Sequence, residues 1–523
     1  MIQNESLNLH NEWARAAGVA ALCGLWQALT LRHGHNWGDD FAQYILHASN
    51  ILDGVGYGSF SWTLDTDNWL FFPGNYPPGF PVLLTSVIGL FGMNLVAMKL
   101  LNVALFTVAL MTAYFCFRRF LPAKYTVATM AIVGMNPFLW EFKDNVLSDV
   151  PFLLFVYCTI ILLRFLENTF EQQLQIKRVA LASAAIIGAY SMRNAGIVLL
   201  AVPMLVEIAR FRRVSWNSLL ITATAACGIL LLSRSFETHG GYYASTYGVI
   251  RNWASSLRQA IDYGYDLALI WDNTRSRKAF YLLSLVMSAL AASGFFSRIR
   301  RKRFGVFEAF VLCYMPIVVF WPSYQSTRFL IPIIPLYVFY AMISIDNIET
   351  WAKRKERIAS LRFAPLLLVL AMVTIAYSLK YTHPSLWRIS DNITSHDSVA
   401  LASWIRTHVS DCGRIAFRKP RALALITGKK TTSYYKCEDD AKAIAYLTNE
   451  GVTHVVSSGL FDDDWTFFRP LLLRHPEVFT TVFENPSFTV KSLARSAIRQ
   501  TGDTASCSKE LSRFTARPFL ISE

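Results

Sequence analysis

Charge is what this sequence has least of. Only 16% of its 523 residues are Asp, Glu, Lys or Arg, while 53% are hydrophobic and the mean hydropathy is +0.33. A soluble chain carries about 25% charged residues, so an ordinary water-soluble enzyme is excluded. A glycine-rich phosphate loop and an internal repeat are also missing. No motif of nucleic-acid recognition is present, so the net charge of +14 does not by itself point to DNA or RNA. Residues 1–12 lack the basic start of a cleavable signal peptide, so the first apolar run is expected to stay as an anchor. No cysteine spacing fits zinc. Of the eight cysteines, Cys23, Cys116, Cys158, Cys227 and Cys313 lie in or near apolar runs, where a thiol behaves as a small hydrophobe. Cys412, Cys437 and Cys507 follow in a polar segment, where Cys412 and Cys437 are candidates for a disulfide in an oxidising compartment.

What is present is a series of apolar runs. Runs of roughly 17–25 residues cross a bilayer as helices, and these lack the alternation of barrel strands. The reading gives about eleven spans, at 13–32, 95–117, 124–140, 150–167, 179–192, 194–209, 215–233, 279–297, 304–322, 328–345 and 361–379. A further run at 81–92 is too short to cross and is expected to lie at, or dip into, the membrane surface. The basic clusters orient the chain. They are Arg118-Arg119, Lys177-Arg178, Arg210 with Arg212 and Arg213, Arg298 to Arg303, and Lys353 to Arg357. With this set of spans they all fall on one side, the cytoplasmic one, where they also meet anionic headgroups. The loop at 33–78 falls on the other side and holds Asp39, Asp40, Asp53, Asp65 and Asp67 with no Lys or Arg. The N-terminus is then inside and the C-terminus outside.

The expected organisation is a polytopic α-helical membrane domain over 1–380, with outside loops at 33–94 and 234–278. An extracytoplasmic α/β domain follows over 381–523. In it, 398–409, 441–449 and 469–475 read as helices, and 414–417, 452–456 and 488–493 as strands. The pattern fades after Ala494, and the tail reads as disordered.

Asp39 and Asp40 are the leading candidates for chemistry. An acidic pair just beyond a membrane exit can face a polar substrate while staying close to lipid. A carboxylate there can take a proton from an acceptor hydroxyl or amine; it can also simply cap a helix starting near Phe41. Asp149, in Ser148-Asp149-Val150-Pro151 at the mouth of the fourth span, offers the same two readings. Arg193 and Arg328 fall on the outside face, where the positive-inside rule disfavours them. A guanidinium kept there pairs with phosphate or carboxylate, or snorkels to the interface. Lys143 is a further cation in the loop before Asp149. Tyr76 begins the rigid turn Tyr76-Pro77-Pro78-Gly79, which serves either as structure or as substrate contact.

Taken in order, these motifs make the chain resemble GT-C-type integral membrane glycosyltransferases, in the bacterial branch related to protein O-mannosyltransferases and lipid A aminoarabinose transferases. The motifs are Gly38-Asp39-Asp40, Tyr76-Pro77-Pro78-Gly79, Ser148-Asp149-Val150-Pro151 and Arg328-Phe329-Leu330-Ile331-Pro332. The resemblance implies a GT-C fold and an inverting transfer from a polyprenyl-phosphate sugar to a glycan, lipid or protein acceptor. The setting would be the outer face of a bacterial inner membrane. It implies Asp39 as base, Asp40 and Asp149 assisting or holding a divalent metal ion, and basic residues on the lipid phosphate. One departure stands out: the aminoarabinose transferases carry a Lys where this chain has Tyr76. Lipid A modification is therefore in doubt, and phosphate binding passes to Arg193, Arg328 or the second loop. Two other functions fit the same composition. One is a transporter or flippase for a lipid-linked or anionic solute, which would place ionisable residues near the bilayer midplane. The other is a non-catalytic assembly or sensor protein that binds a partner through its C-terminal domain.

Overall fold

Apolar runs become helices because a backbone in lipid must satisfy its own hydrogen bonds. The computed structural model describes residues 2–60, 62–63, 76–168, 170, 173–238, 253–271, 279–301, 303–321, 324–354, 363–434 and 439–494. The helices of the apolar part are α1 (Ile2–Leu29), α2 (Asp39–Leu52), α3 (Gly79–Phe91), α4 (Leu95–Phe117), α5 (Ala123–Gly134), α6 (Pro137–Phe142), α7 (Asp149–Leu163), α8 (Ile176–Met192), α9 (Val202–Phe211) and α10 (Trp216–Ser235). They continue with α11 (Trp253–Ala268), α12 (Ala279–Arg300), α13 (Val306–Phe320), α14 (Ile334–Lys353) and α15 (Ala364–Tyr381). Among the described residues, six helical stretches are long and apolar enough to cross a membrane: Leu95–Phe117, Asp149–Glu167, Asn194–Phe211, Trp216–Ser235, Tyr281–Arg300 and Ala364–Tyr381. The chain is a multi-pass membrane protein.

The run expected as one span at 124–140 is two helices. Asn136 breaks it: its side chain accepts from the Phe138 and Leu139 amides, starting α6 with Pro137 in the first turn. The run at 81–92 is the 13-residue α3, roughly 20 Å long, packed on α2 and α4. Gly79 opens α3 for a steric reason. A Cβ there would lie 2.8 Å from the backbone carbon of Ser191 and 2.4 Å from its Oγ, so the Pro-Pro-Gly turn can rest directly on the end of α8.

The polar segment adds α16 (His396–His408), β2 (Arg414–Ala416), α17 (Pro420–Thr427), β3 (Lys430–Thr432), α18 (Asp440–Asn449), β4 (Val452–Ser458), α19 (Arg469–Arg474), β5 (Phe479–Glu484) and β6 (Phe488–Leu493). Its sheet has the order β1-β3-β2-β4-β6-β5, in which β1 is Trp62–Thr63 from the segment between α2 and α3. β1, β3, β2 and β4 run parallel, while β6 and β5 are antiparallel. The first loop is thus a strand of the C-terminal sheet. The seam is tightened at Trp37, which is fully buried, donates from Nε1 to Ser398 Oγ at 3.0 Å and meets Phe417 edge-on at 5.4 Å. One apolar core runs from the bundle helices through this seam to Phe417, Leu423 and Val490. The helices and strands read from sequence in this segment appear within a few residues of their expected bounds. The structure adds α17, β3 and β5. Cys412 is disulfide-bonded; Cys437, Cys507 and the tail after 494 lie outside the described residues.

A close backbone approach between two helices tests the packing. Gly294 of α12 faces α14 so tightly that a Cβ would fall 1.9 Å from the Tyr340 carbonyl oxygen, whereas nothing lies within 4 Å of a Cβ at Gly18. Gly294→Leu is expected to cost about 3 kcal/mol, read as a lower Tm of the detergent-purified protein. Gly18→Leu should leave Tm within about a degree of wild type.

Candidate active site

Four helix ends and one C-terminal helix meet at one end of the bundle. α2 and α7 begin with Asp39 and Asp149, which stand in the first turn with no side-chain cap hydrogen bond at Gly38 or Ser148. Capping therefore does not account for these carboxylates. Asp40, the next residue of α2, and Asp149 share one partner, Arg328, in the 3-10 turn Ser326–Leu330 before α14. Arg328 Nη1 donates to Asp40 Oδ2 at 2.6 Å, and its Nε donates to the two oxygens of Asp149 at 3.2 and 3.1 Å. Arg193, just past the end of α8, ion-pairs with Asp149 from the other side and stacks on Phe329, with 5.0 Å between guanidinium carbon and ring centre. Asp149 is 2% exposed, so two arginines holding one buried carboxylate is the arrangement burial requires.

The rest of the wall comes from residues far along the chain. Tyr76 donates its hydroxyl to Asp40 Oδ1 at 2.7 Å and accepts from Arg421 Nη1 at 3.0 Å. Arg421 Nη1 lies 3.7 Å from Asp40 Oδ1. Tyr76 is itself held by its backbone: its amide donates to His47 Nε2 at 3.2 Å, and its carbonyl accepts from the Tyr57 hydroxyl at 2.8 Å. Every residue of α17 is buried, and it packs on α2. The Ala422 amide in its first turn donates to Asp39 Oδ1 at 3.3 Å. Asp39 Oδ2 has no hydrogen-bond partner among the described residues.

Asp39, Asp40, Arg328 and Arg421 line a cavity of about 580 Å³. His35, Asn36, Asp39 and Asp40 form one side; Gln325 and Arg328 another; Arg418, Lys419, Arg421, Ser433 and Tyr434 close it from the C-terminal segment. His35 donates from Nδ1 to the Asn36 carbonyl at 2.9 Å and accepts the Val146 amide on Nε2 at 3.1 Å. An amide N–H can only donate, so Nε2 is bare, and burial lowers the ring's pKa to about 4. His35 is a neutral wall.

The surroundings of the two neighbouring aspartates shift them in opposite directions. Burial raises Asp39 above the ordinary carboxylate value; Lys419, Arg421 and the Ala422 amide oppose the rise only in part, and the charge of Asp40 adds to it. Burial pushes Asp40 the same way, but Arg328, Arg421 and the Tyr76 hydroxyl overcome it and hold Asp40 well below that value. The surroundings therefore favour the ionised form of Asp40 and disfavour that of Asp39.

Of the residues singled out from sequence, the cavity gathers Asp39, Asp40 and Arg328. Tyr76, Asp149 and Arg193 stand behind them as partners. Lys143 is not brought to the cavity. Its Nζ donates to Asp144 Oδ2 at 2.6 Å and sits 3.7 Å from the centre of the Trp140 ring, sealed with Arg32 and Lys99. The three carboxylates do not converge on a common point. Asp40 and Asp149 flank a guanidinium, Asp39 faces α17, and no group of three or more His, Cys, Asp or Glu residues suited to a metal occurs among the described residues. The donor set fits an arginine rather than a divalent cation. Sequence reasoning missed Arg418, Lys419 and Arg421, because basic residues in a long polar segment carry no sidedness signal.

Three solved structures share this architecture. The archaeal oligosaccharyltransferase AglB from Archaeoglobus fulgidus, solved with an inhibitory peptide and a dolichol-phosphate, matches 92% of this chain and 74% of its own at 10% identity and TM-score 0.57. ArnT from Cupriavidus metallidurans, bound to undecaprenyl phosphate, matches 92% and 98% at 12% identity and TM-score 0.55. The arabinofuranosyltransferase AftD from Mycobacteria matches 91% of this chain and 41% of its own at 12% identity and TM-score 0.52. The chain has the GT-C fold. No protein-family model and no curated protein matches it, so at these identities the likeness establishes the fold alone. Within the GT-C fold, the acidic pair, Asp149 and Arg328 lie at one end of the bundle, against the C-terminal sheet domain.

Removing Arg328 leaves Asp40 and Asp149 facing each other with less compensation. Arg328→Ala is expected to cost about 3 kcal/mol, and adding Asp149→Asn to it should recover part of that loss. The depressed carboxyl of Asp40 also gives a signed pH dependence. Its stabilisation is in place above the ordinary value of 3.8 and is lost as pH falls below it. Asp40→Asn should therefore lower Tm at pH 7 by more than at pH 3. Melting curves of purified protein at the two pH values check both outcomes.

Proposed function

We propose that this chain transfers a sugar, a hexosyl or pentosyl group, from a polyprenyl-phosphate-linked donor to a glycan, lipid or protein acceptor at the extracytoplasmic membrane face, with inversion. The observation that carries this reading is a single cavity pairing Asp39, a carboxylate whose protonated form burial favours, with an arginine wall at one end of an apolar helix bundle. The fold shared with AglB, ArnT and AftD supports it.

In the proposed reaction Asp39 Oδ2 takes the proton of an acceptor hydroxyl or amine as that atom bonds to the anomeric carbon. The bond from that carbon to the lipid-phosphate oxygen breaks, and the phosphate leaves with the electron pair. A single displacement inverts the anomeric centre. Arg328 meets the charge that develops on the phosphate. Asp40 and Asp149 hold its Nη1 and Nε in place, while its Nη2 has no hydrogen-bond partner among the described residues. Tyr76 and Arg421 keep Asp40 ionised and fixed. No step is routed through a metal ion.

The reading also places about eleven spans, the N-terminus and the basic clusters on the cytoplasmic side of a bacterial inner membrane, and the C-terminal α/β domain outside. The disulfide at Cys412 supports an oxidising compartment for that domain.

Profiling lipid-linked sugars in cells lacking the gene tests the function. A polyprenyl-phosphate sugar should accumulate and an envelope glycan should lose that sugar, with wild type restoring both and Asp39→Asn restoring neither. Unchanged lipid-linked sugars and glycans would remove the enzymatic reading. In vitro, Asp39→Asn should lower transfer on the order of 10²–10⁴-fold. A base must be deprotonated to act, so kcat/KM should fall as pH drops through the raised pKa of Asp39. The acid limb therefore lies above the ordinary carboxylate range and disappears in Asp39→Asn; a limb at or below that range contradicts the assignment of Asp39 as base.

A further inference from the structure

Three of the four basic side chains around the cavity are engaged by the protein. Arg328 is held between Asp40 and Asp149. Arg418 ion-pairs with Asp463. Arg421 reaches Tyr76 and Asp40. Lys419 lines the same cavity, and no carboxylate among the described residues makes an ion pair with it. Its Nζ lies 5.7 Å from the centre of the Phe461 ring, and the residue is half-buried.

An ammonium that lines the cavity with no ion-pair partner among the described residues keeps donors available to an incoming anion. Its position is fixed rather than incidental. Lys419 immediately precedes α17, whose Pro420 locks the chain and whose Ala422 amide binds Asp39. The helix that secures the proposed base therefore also delivers Lys419 beside it, and the charge of Lys419 is felt at Asp39. The cavity, about 580 Å³, is of a size that holds a small ligand with an attached charged group.

We propose that Lys419 is the seat of a substrate oxyanion, a phosphate or a carboxylate, held in the cavity beside Asp39. This rests on the reading of the cavity as a sugar-transfer site and adds to it that the C-terminal domain contributes a recognition group to that site. The oxyanion has two sources in such a reaction: the phosphate of the lipid-linked donor, or an acidic group on the acceptor. An ammonium binds either as a point charge. In both cases Lys419 holds the charged end of a substrate while Asp39 meets its reacting atom.

Titrating the full-length protein in nanodiscs tests this without turnover. Undecaprenyl phosphate is the probe for the donor phosphate; inorganic phosphate and glucuronate are the probes for an acceptor acid. Lys419→Ala should weaken binding of one probe class on the order of tenfold, and Lys419→Arg should keep most of it. Loss confined to undecaprenyl phosphate assigns Lys419 to the donor, and loss confined to the soluble anions assigns it to the acceptor. Dissociation constants equal to wild type for all three probes overturn the proposal, as does a wild type that binds none of them. A Tm equal to wild type separates lost recognition from lost folding, and the half-buried position makes that the expected result. These titrations need no chemistry, so they stand or fall separately from the effect of Asp39→Asn on transfer.

Discussion

The arrangement depends on one guanidinium. Arg328 joins the start of α2 to the start of α7 by donating to Asp40 and Asp149. A charge taken this far from water is tolerated only with close counter-charges, and removing one partner of such a pair costs far more than the pair contributes net. The consequence is geometric. Asp40 cannot shift without disturbing Arg328, nor Arg328 without disturbing Asp149, and Arg193 backs Asp149 from behind. Asp39, one residue before Asp40 on the same helical turn, is therefore held in place by a network in which its own side chain takes no part.

That separation gives two adjacent aspartates different surroundings. Asp40 is surrounded by donors and stays ionised. Asp39 faces α17, where one backbone amide is not enough to offset burial. A base in a transfer reaction needs this second environment, and a fixed counter-ion for an arginine needs the first. The C-terminal domain is part of both. It supplies the amide to Asp39 and the guanidinium of Arg421 to Asp40, and it takes β1 of the first loop into its own sheet. The first loop and the C-terminal domain are better regarded as one layer laid over the end of the bundle.

Much of this was legible in the sequence because membrane proteins obey a strong rule of sidedness. Apolar length marked the helices, and the basic clusters marked one face. Asp39, Asp40, Asp149 and Arg328 then stood out as charges gathered on the opposite face. That logic does not reach Arg418, Lys419 and Arg421, which lie in a long polar segment far from a span end. They escaped notice because α17 is an eight-residue helix with no long periodic pattern, sitting directly after a stretch that reads as a strand. Lys143 shows the opposite failure. Its neighbours in sequence pointed to the site, but side-chain direction turns it to Asp144 and Trp140 instead. The roles of His47, which orients Tyr76, and of the β1–β3 pairing rest on contacts between distant segments, which no local pattern encodes. Asn136 was readable as a cap before proline, yet the apolar run around it masked the break.

The central claim is that carboxylates from the membrane domain and basic groups from two distant segments form one site for a lipid-linked sugar. The most direct measurement is a cryo-EM structure of the full-length protein in nanodiscs with undecaprenyl phosphate. The account predicts phosphate density in the cavity within hydrogen-bond distance of its basic wall, with Arg328 still held by Asp40 and Asp149 and Asp39 facing the space beside the phosphate. Phosphate density outside this cavity, or an Arg328 released from both aspartates, would contradict it.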